Sequence, residues 1–500
     1  MNHTAMRITV GSLLVLQWAS GLLIMVLGLA LIASVIIWNL DRRQTRHTIR
    51  RNFPLIGRFR YLFETLGAYF RQYFFSLDRE EMPFNRAQRG WIYRAAKNID
   101  NTVAFGSTQN LQTPGTILFL NGGFPHLENQ DNQQSAITIG DNCPNPYTTS
   151  RIFHISGMSY GALSRPAVEA LSAGAHAAGC WLNTGEGGLS APHLSGNADL
   201  VFQIGTAKYG VRNNCGELDE NKLKTIAENP RVKMFEIKLS QGAKPGKGGI
   251  LPGAKVTPEI AAVRGIPAGQ PSISPNRHPE IDSPTALLDF IEKVRRISGK
   301  PVGFKTVVGT TDWLETLCEE INHRGSGSAP DFITIDGGDG GTGAAPMALM
   351  DSVGLPLRES LPWMVDLLMR HDLKQRVRVI ASGKLLNPSD AAWALCIGAD
   401  FVVSARGFLF SLGCIQAMQC NRNTCPTGIT THNAKLQRGL VPADKAPRVA
   451  HYQQNLEKEL QIIAHACGVD HARLLRRHHA RVVLESGSTV TLAQHHPYPS

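Results

Sequence analysis

Three cysteines late in the chain form a pattern with recognisable chemistry. Cys414, Cys420 and Cys425 share one short segment, and Pro426 follows the last of them. The other cysteines are scattered, which argues against a secreted disulfide framework. Zinc sites favour closely spaced cysteine pairs and four ligands. Iron–sulfur loops instead gather thiolates from one segment, often with Pro after the last one. Three local thiolates therefore predict a [3Fe–4S] cluster.

Two other interpretations of these cysteines stay open. A [4Fe–4S] cluster would need a distant fourth ligand, for example Cys467 or Cys396. Alternatively, the three residues are buried structural cysteines that bind no metal.

A lysine interrupts an apolar strand in the middle of the chain. Lys305 lies in the segment PVGFKTV, which is predicted to be buried on both faces. A buried lysine is costly unless it has a partner. In flavin enzymes a cation near N1 and the C2 carbonyl stabilises the reduced, anionic ring. Lys305 is therefore a candidate flavin ligand, and a lysine that reaches solvent or a carboxylate is the alternative.

Three glycine-containing segments are candidates for binding phosphate. They are DGGDGGTG at 336–343, SGK at 382–384 and SARG at 404–407. Glycine allows close approach of a ligand and frees N–H groups to point at an anion. In α/β barrels phosphate is often bound after the last two strands. The three segments together predict a phosphate-bearing cofactor, with tight turns alone as the alternative.

The elements that position these residues alternate between strands and helices from residue 151 onward. Short apolar runs such as RIFHIS, KMFEIKL, DFITID, VRVIAS and DFVVSA each end in glycine or polar residues. This alternation predicts a parallel sheet. At least seven candidate strands suit an α/β fold of the closed (β/α)8 TIM barrel type, with chemistry on the loops after the strands. A doubly wound open sheet is the alternative, but its single glycine fingerprint after the first strand is not evident.

The N-terminus predicts a membrane anchor. No charged residue occurs between Arg7 and Asp41, and this run exceeds the ~20 residues that cross a bilayer. A cleaved signal peptide is the alternative. Basic residues after the run predict a single-pass protein of the inner or cell membrane whose catalytic domain faces the cytoplasm. They also explain part of the formal net charge of +11 without nucleic acid. These residues are Arg42, Arg43, Arg46, Arg50, Arg51, Arg58 and Arg60.

Several long motifs, in order, identify a family resemblance over about residues 150–435. They are GMSYGALS, NTGEGG, QGAKPGKGGILPGAKV, SPNRHPEI, DGGDGGTGAAP and GCIQAMQCNRNTCPTGITTH. Together they resemble the FMN-binding synthase domain of glutamate synthase. The resemblance implies a (β/α)8 barrel, FMN, a [3Fe–4S] cluster and an oxidoreductase acting on CH–NH2 donors, which reduces the imine of 2-oxoglutarate and ammonia to L-glutamate.

The resemblance also implies roles for single residues. Glu186 and Lys244 occupy substrate-side motifs, and Arg264 is similar to an arginine that holds a 2-oxoglutarate carboxylate. Glu186 would assist proton transfer, or else pair with Lys244. Flavin contacts would come from Met158, Ser159, Gln241 and Lys305, the ribityl phosphate would lie near Gly340, Gly341, Gly383 and Arg406, and the cluster would be held by Cys414, Cys420 and Cys425.

The sequence also departs from the family pattern. No glutaminase domain with a nucleophilic cysteine is recognisable before residue 150, and neither a C-terminal β-helix nor a pyridine-nucleotide domain is evident. Asp336 stands where a serine is common. Electrons are therefore expected from a ferredoxin, a partner reductase or a membrane donor, and ammonia from solution or a supplying subunit.

The expected organisation has four parts: an anchor at 1–41, a juxtamembrane arm and linker at 42–150, the FMN-binding barrel with its iron–sulfur loop at 151–440, and a helical extension at 441–500. Two other functions stay open. One is an FMN and iron–sulfur oxidoreductase for a different amino or oxo acid, as in a related subunit that builds N-methylglutamate. The other is a non-catalytic electron-transfer subunit of a membrane complex. An IMP-dehydrogenase-like barrel is disfavoured because no catalytic cysteine follows a middle strand.

Overall fold

The computed structural model of the protein describes residues 3–127 and 136–499. The chain divides into two compact units, Met1–Asn85 and Arg86–Ser500. The first unit consists of the helices His3–Arg43, Thr48–Asn52 and Ile56–Phe70, followed by one π-helical turn at Arg71–Phe75. Its segment Leu13–Arg43 contains an 18-residue stretch with a mean hydropathy of 2.7 and is long and apolar enough to cross a membrane, although a signal sequence has the same character.

The second unit is built on eight parallel strands that close into a barrel. The closure is made by β8 and β1, where Val402 lies opposite Phe153. This confirms the predicted (β/α)8 TIM barrel and excludes the doubly wound sheet. The strands are β1 (Phe153–Ile155), β2 (Leu182–Asn183), β3 (Leu200–Ile204), β4 (Val232–Lys238), β5 (Val302–Thr306), β6 (Phe332–Asp336), β7 (Arg378–Ser382) and β8 (Phe401–Ser404).

Helices between the strands begin at conventional caps. Ser164, Thr257 and Asn387 each accept a hydrogen bond from a backbone N–H in the first turn of the helix they start, and each is followed by proline at or next to the first helical position. The helices after β1 to β8 and within their loops are Arg165–Ala178, Ala191–Leu194, Glu220–Glu228, Pro258–Arg264, Pro284–Ser298, Asp312–Arg324, Met347–Ser352, Leu357–Arg370, Pro388–Ile397 and Arg406–Ser411.

The barrel interior changes character along its axis. A core of large side chains fills it, including Trp181, Met234, Phe332 and Phe401. These residues lie near the start of their strands or directly before them. The strand ends instead carry polar residues, for example Lys238 at the end of β4. The fold therefore places its charged groups at the carboxyl edge, where barrels carry their active sites.

Further elements cover the barrel. Helices Arg86–Ala96 and Pro442–Ala466 pack together. Helix Pro442–Ala466 also packs on helix Arg165–Ala178, where Gly174 makes room for Val449: a Cβ added to Gly174 would lie 2.5 Å from the Cβ of Val449. The extension predicted to be helical at 441–500 contains the helix Pro442–Ala466, followed by the strands Ala480–Val483 and Thr489–Thr491, which the sequence did not predict. The remaining strands are Ile117–Phe119 with Ala480–Val483 and Thr489–Thr491, Ile137–Ile139 with Tyr147–Thr149, and Ile250–Leu251 with Ser272–Ile273, and the short helices Ala434–Gln437 and Leu492–His495 complete the unit.

The four-part division of the chain stays a prediction. The arm predicted at 42–150 includes residues 128–135, which lie outside the described residues.

Candidate active site

The carboxyl edge of the barrel opens into a cleft with an empty volume of about 1000 Å³. Its wall brings together most of the candidate residues from different loops: Met158, Ser159, Glu186, Gln241, Lys244, Arg264, Gly341, Arg406 and Cys420. Within the described part of the chain, five other candidates do not line it: Lys305, Gly340, Gly383, Cys414 and Cys425.

A partly exposed carboxylate and a buried lysine face each other in this cleft. Glu186 follows β2, and its Oε1 lies 3.1 Å from Nζ of Lys238 at the end of β4. Burial acts to raise the pKa of Glu186, but the charges of Lys238, Lys244 and Arg264 outweigh it and leave the pKa lowered. Glu186 is therefore ionised at neutral pH. The sequence reasoning missed Lys238, whose signal is a lysine that ends the apolar strand KMFEIKL.

Glycines make room for this carboxylate. A Cβ on Gly249 would lie 2.3 Å from Oε1 of Glu186, and one on Gly205 would lie 2.6 Å from its Cβ. Any larger residue at these two positions would displace the Glu186 side chain. Lys238 also donates a short hydrogen bond to Oε1 of Gln241, which connects the pair to the loop after β4.

Arg264 lies at the end of helix Pro258–Arg264 and is 5% exposed. Its Nη1 donates to Oγ of Ser272 at 3.1 Å, and its guanidinium lies 5.0 Å from the ring centre of Tyr209. Its buried Nε has no hydrogen-bond partner within the part of the chain that the structure describes. Among residues 3–127 and 136–499, no carboxylate forms an ion pair with Arg264.

Lys244 is a second buried cation on the same wall, and it is also 5% exposed. Burial, together with the charges of Lys238 and Lys247, lowers the pKa of Lys244 to about 8. It too has no ion-pair partner among the described carboxylates. Glu186 is the anion that acts on both cations, and it already pairs with Lys238, so two buried positive charges without an ion-pair partner in the described chain are costly unless a ligand balances them. The cleft is therefore suited to an anion such as a dicarboxylate.

The three predicted phosphate segments meet at one side of the barrel. The backbone N–H of Gly337 donates to the carbonyl of Ser382 at 2.9 Å, which joins the loops after β6 and β7. Arg406, after β8, donates a short hydrogen bond to the carbonyl of Thr342. A Cβ on Gly341 would lie 3.2 Å from Nε of Arg406, so glycine keeps this corner open. The wall here combines a guanidinium with a glycine-rich backbone, as phosphate sites do.

Lys305 forms an internal ion pair. Its Nζ lies 3.1 Å from Oδ2 of Asp336, which also accepts a hydrogen bond from the backbone N–H of Gly242 at 2.9 Å. Burial acts to lower the pKa of Lys305, but Asp336 and Glu236 outweigh it, so the pKa is raised and the lysine is charged. This is the carboxylate partner considered as the alternative for Lys305. Its role toward a flavin stays a prediction.

The cysteine loop borders the cleft through Cys420. Nη1 of Arg406 lies 3.7 Å from Sγ of Cys420. Lys255 is 2% exposed, and its Nζ donates to the carbonyls of Cys420 and Ala162 at 3.0 Å each. Lys255 thus joins the cysteine loop to the loop after β1. Lys255 was not predicted as a site residue, although it lies near the end of the family motif QGAKPGKGGILPGAKV.

The thiols themselves have different environments. Burial raises the pKa of Cys414 to about 11. Burial also acts to raise the pKa of Cys425, but hydrogen bonds from Thr427 and from the backbone of Thr430 outweigh it and leave the pKa lowered. In the described residues, no three His, Cys, Asp or Glu side chains converge on a point suited to a single metal ion. Three thiols of one loop, with Cys420 beside Arg406, are a donor set of the kind that iron–sulfur loops provide, and the cluster itself stays a prediction.

Comparison with known proteins shows to which family the chain belongs. The conserved region in glutamate synthase matches residues 107–470. The glutamate synthase large subunit-like protein YerD of Bacillus subtilis is 39% identical over 491 residues, which cover 90% of this chain and 93% of that protein. The chain belongs to the glutamate synthase family. This confirms the resemblance and the prediction of a glutamate synthase-like oxidoreductase.

Other members of the glutamate synthase family align with this chain over a smaller fraction of their length. The archaeal-type glutamate synthase (NADPH) of Dehalococcoides mccartyi is 31% identical, covering 64% of this chain and 61% of that protein. The glutamate synthase large subunit-like protein of Rhizobium meliloti is 32% identical, covering 63% of this chain and 71% of that protein. This glutamate synthase-like chain therefore spans about three fifths of the archaeal-type relative. Among solved structures, mandelate oxidase with (S)-4-hydroxymandelic acid matches with a TM-score of 0.46 at 14% identity over 79% of this chain and 98% of that one, too distant to bear on function.

Proposed function

We propose that this protein is a flavin and iron–sulfur oxidoreductase that reduces 2-iminoglutarate, formed from 2-oxoglutarate and ammonia, to L-glutamate. The observation that carries the proposal is the pair of buried cations Arg264 and Lys244, neither of which has an ion-pair partner among the described residues, beside the ionised Glu186. A dicarboxylate supplies the two negative charges that this wall lacks.

The described residues fit FMN. Met158, Ser159 and Gln241 would contact the ring, while Gly341 and Arg406 would hold the phosphate. Glycine supports this fit at the phosphate side, because a Cβ on Gly341 would lie 3.2 Å from Nε of Arg406 and would crowd the guanidinium. A cluster on Cys414, Cys420 and Cys425 would border the same cleft. When bound, FMN supplies the hydride and the cluster supplies electrons.

The chain's own residues then bind and orient the substrate. Arg264 is held by Ser272 and the ring of Tyr209, so its guanidinium offers a carboxylate a fixed pair of donors. Lys244 provides the second cation. Glu186 is ionised and held by Lys238. Its carboxylate accepts hydrogen bonds from the N–H groups of the substrate nitrogen and stabilises a positively charged iminium. This role needs a carboxylate rather than a carboxylic acid at position 186.

Electron and nitrogen supply belong to the same proposal. Electrons would come from a ferredoxin, a partner reductase or a membrane donor, and ammonia from solution or a supplying subunit. The long apolar helix and the arginines after it support a single membrane span with the barrel in the cytoplasm. Nothing in this scheme requires nucleic acid.

Product formation tests the proposal. The full chain, purified without oxygen, is assayed for FMN and iron and then given a chemical reductant, 2-oxoglutarate and 15N-ammonium. We expect 15N-glutamate, and we expect Arg264→Lys to lower kcat/KM for 2-oxoglutarate by about tenfold or more, because a charged hydrogen bond contributes roughly 1.5–3 kcal/mol. Arg277→Lys, outside the cleft wall, is the matched control.

A panel of other 2-oxo acids separates the remaining functions. Turnover with one of them, but not with 2-oxoglutarate, would replace the substrate and keep the reaction class. Absence of turnover with every acid, in protein that contains FMN and iron, would favour an electron-transfer subunit.

A further inference from the structure

The helix that follows the apolar segment carries an exposed apolar stripe. Within Ile56–Phe70 the exposed apolar side chains recur every three or four residues, which places them on one face. A stripe of this length is unusual on the surface of a soluble protein and marks an interaction surface. The stripe consists of Ile56, Phe59, Leu62, Phe63, Leu66 and Phe70, whose exposures range from 36% for Leu66 to 74% for Ile56.

Asp41 and Arg58 form an ion pair that fixes where this helix starts, and we call this pair the Asp41–Arg58 corner. Arg58 donates to both carboxylate oxygens of Asp41, with Nη2–Oδ1 and Nε–Oδ2 distances of 2.8 Å. The backbone N–H of Leu55 donates to Oδ2 of the same residue at 3.2 Å. Asp41 is 1% exposed and belongs to the last turn of the apolar helix. The stripe therefore begins at the level where the apolar helix ends.

The two short helices on either side of this corner are closely packed. A Cβ on Gly57 would lie 2.8 Å from the carbonyl oxygen of Ile49, so the helices Thr48–Asn52 and Ile56–Phe70 touch backbone to backbone. The guanidinium of Arg50 lies 4.5 Å from the ring centre of Tyr61 and adds a second contact between the same helices.

The charges around the corner are of one sign. No Asp or Glu occurs between Arg42 and Phe63. At 3.6 residues per turn, Arg58 and Arg60 fall on opposite edges of the apolar stripe, an arrangement typical of helices that lie in a membrane interface. Each arginine near an anionic surface contributes about 1 kcal/mol of attraction. The exposed arginines here are Arg42, Arg43, Arg46, Arg51 and Arg60.

We propose that helix Ile56–Phe70 lies in the headgroup layer of an anionic bilayer, with its apolar stripe turned toward the acyl chains. Lipid is the partner because the Asp41–Arg58 corner holds the stripe beside the end of the membrane-span candidate, and because the surrounding arginines match anionic headgroups. Two copies of this chain meeting through the same face would bring their arginines together and repel each other. The inference rests on the membrane span proposed above and is independent of the reaction.

Site-specific photocrosslinking tests this placement. The full chain is reconstituted in vesicles of phosphatidylcholine and phosphatidylglycerol, with benzoylphenylalanine replacing one residue at a time. Phe63 probes the centre of the stripe, and the exposed Glu64 on a polar face is its matched control. Leu27 probes the apolar helix itself. We expect lipid adducts at Leu27 and Phe63, and several-fold fewer at Glu64.

Each outcome decides one point. Lipid adducts at Leu27 but protein adducts at Phe63, to this chain or a second copy, would overturn the interfacial helix and leave the span standing. Absence of lipid adducts at both positions would remove the span as well. Equal lipid labelling at Phe63 and Glu64 would mean that the helix lacks the proposed orientation. Loss of Phe63 adducts in vesicles of phosphatidylcholine alone would confirm the anionic headgroup.

Discussion

Nζ of Lys238 lies 3.1 Å from Oε1 of Glu186, so a strand-end lysine and a loop carboxylate form a largely buried ion pair on the wall of the cleft. The pair keeps Glu186 ionised although burial opposes its charge. In the proposed reaction, Glu186 is the fixed anion for the substrate nitrogen, on the same cleft wall as the two cations Arg264 and Lys244.

Replacing Lys238 should change the pH dependence of the reaction. Lys238 lowers the pKa of Glu186, so in Lys238→Met that pKa rises and Glu186 becomes protonated at higher pH. The acid limb of kcat/KM should move upward by about one pH unit or more, where one unit corresponds to about 1.4 kcal/mol. Lys233→Met removes a half-exposed lysine from the same strand and should leave the limb in place. An unmoved limb in Lys238→Met would remove Glu186 from the mechanism.

A second pH effect should come from Lys244, whose pKa is lowered to about 8. The side chain is cationic below that value and loses its charge above it, so kcat/KM for 2-oxoglutarate should fall as the pH rises through about 8. Lys244→Arg should abolish this limb because arginine stays charged. The exposed Lys247→Arg is the control. If the limb persists in Lys244→Arg, another group, such as Lys255, is responsible.

Cys420 should be needed to pass electrons to the flavin. Cys420→Ser is expected to lose iron and its visible absorbance, to block reduction of FMN by reduced ferredoxin and to spare photochemical reduction. The exposed Cys215→Ser should behave as the unaltered protein does. Normal reduction of Cys420→Ser by ferredoxin would show that the cysteine loop has a structural role only.

Asp336 should set the reduction potential of bound FMN through Lys305. In Asp336→Ser the lysine loses its partner at 3.1 Å, and its charge is then free to stabilise the anionic reduced ring. The potential should become more positive by roughly 30 mV or more, which for two electrons is about 1.4 kcal/mol. Asp351→Ser, at an exposed position in the same connection, is the control. A potential equal to that of the control would separate Lys305 from the flavin.

The sequence predicted the barrel and most of the cleft because both depend on local signals. Each strand is a short apolar run, and each loop motif follows its strand directly, so strand order alone brings Glu186, Gln241 and Arg406 to one edge. It did not predict that Lys238 pairs with Glu186, because partners across a closed barrel depend on strand register and tilt. Lys255 was missed for the same reason, since its acceptors Ala162 and Cys420 are distant in the chain.

Reoxidation of the reduced protein tests the central claim most directly. The full chain containing FMN and iron is reduced photochemically without oxygen, the reductant is removed, and the flavin absorbance is followed after mixing with 2-oxoglutarate and ammonium. We expect rapid return of the oxidised spectrum with one glutamate formed per flavin, and no return with either substrate alone. Flavin that stays reduced in the presence of both substrates would contradict the proposed glutamate synthesis.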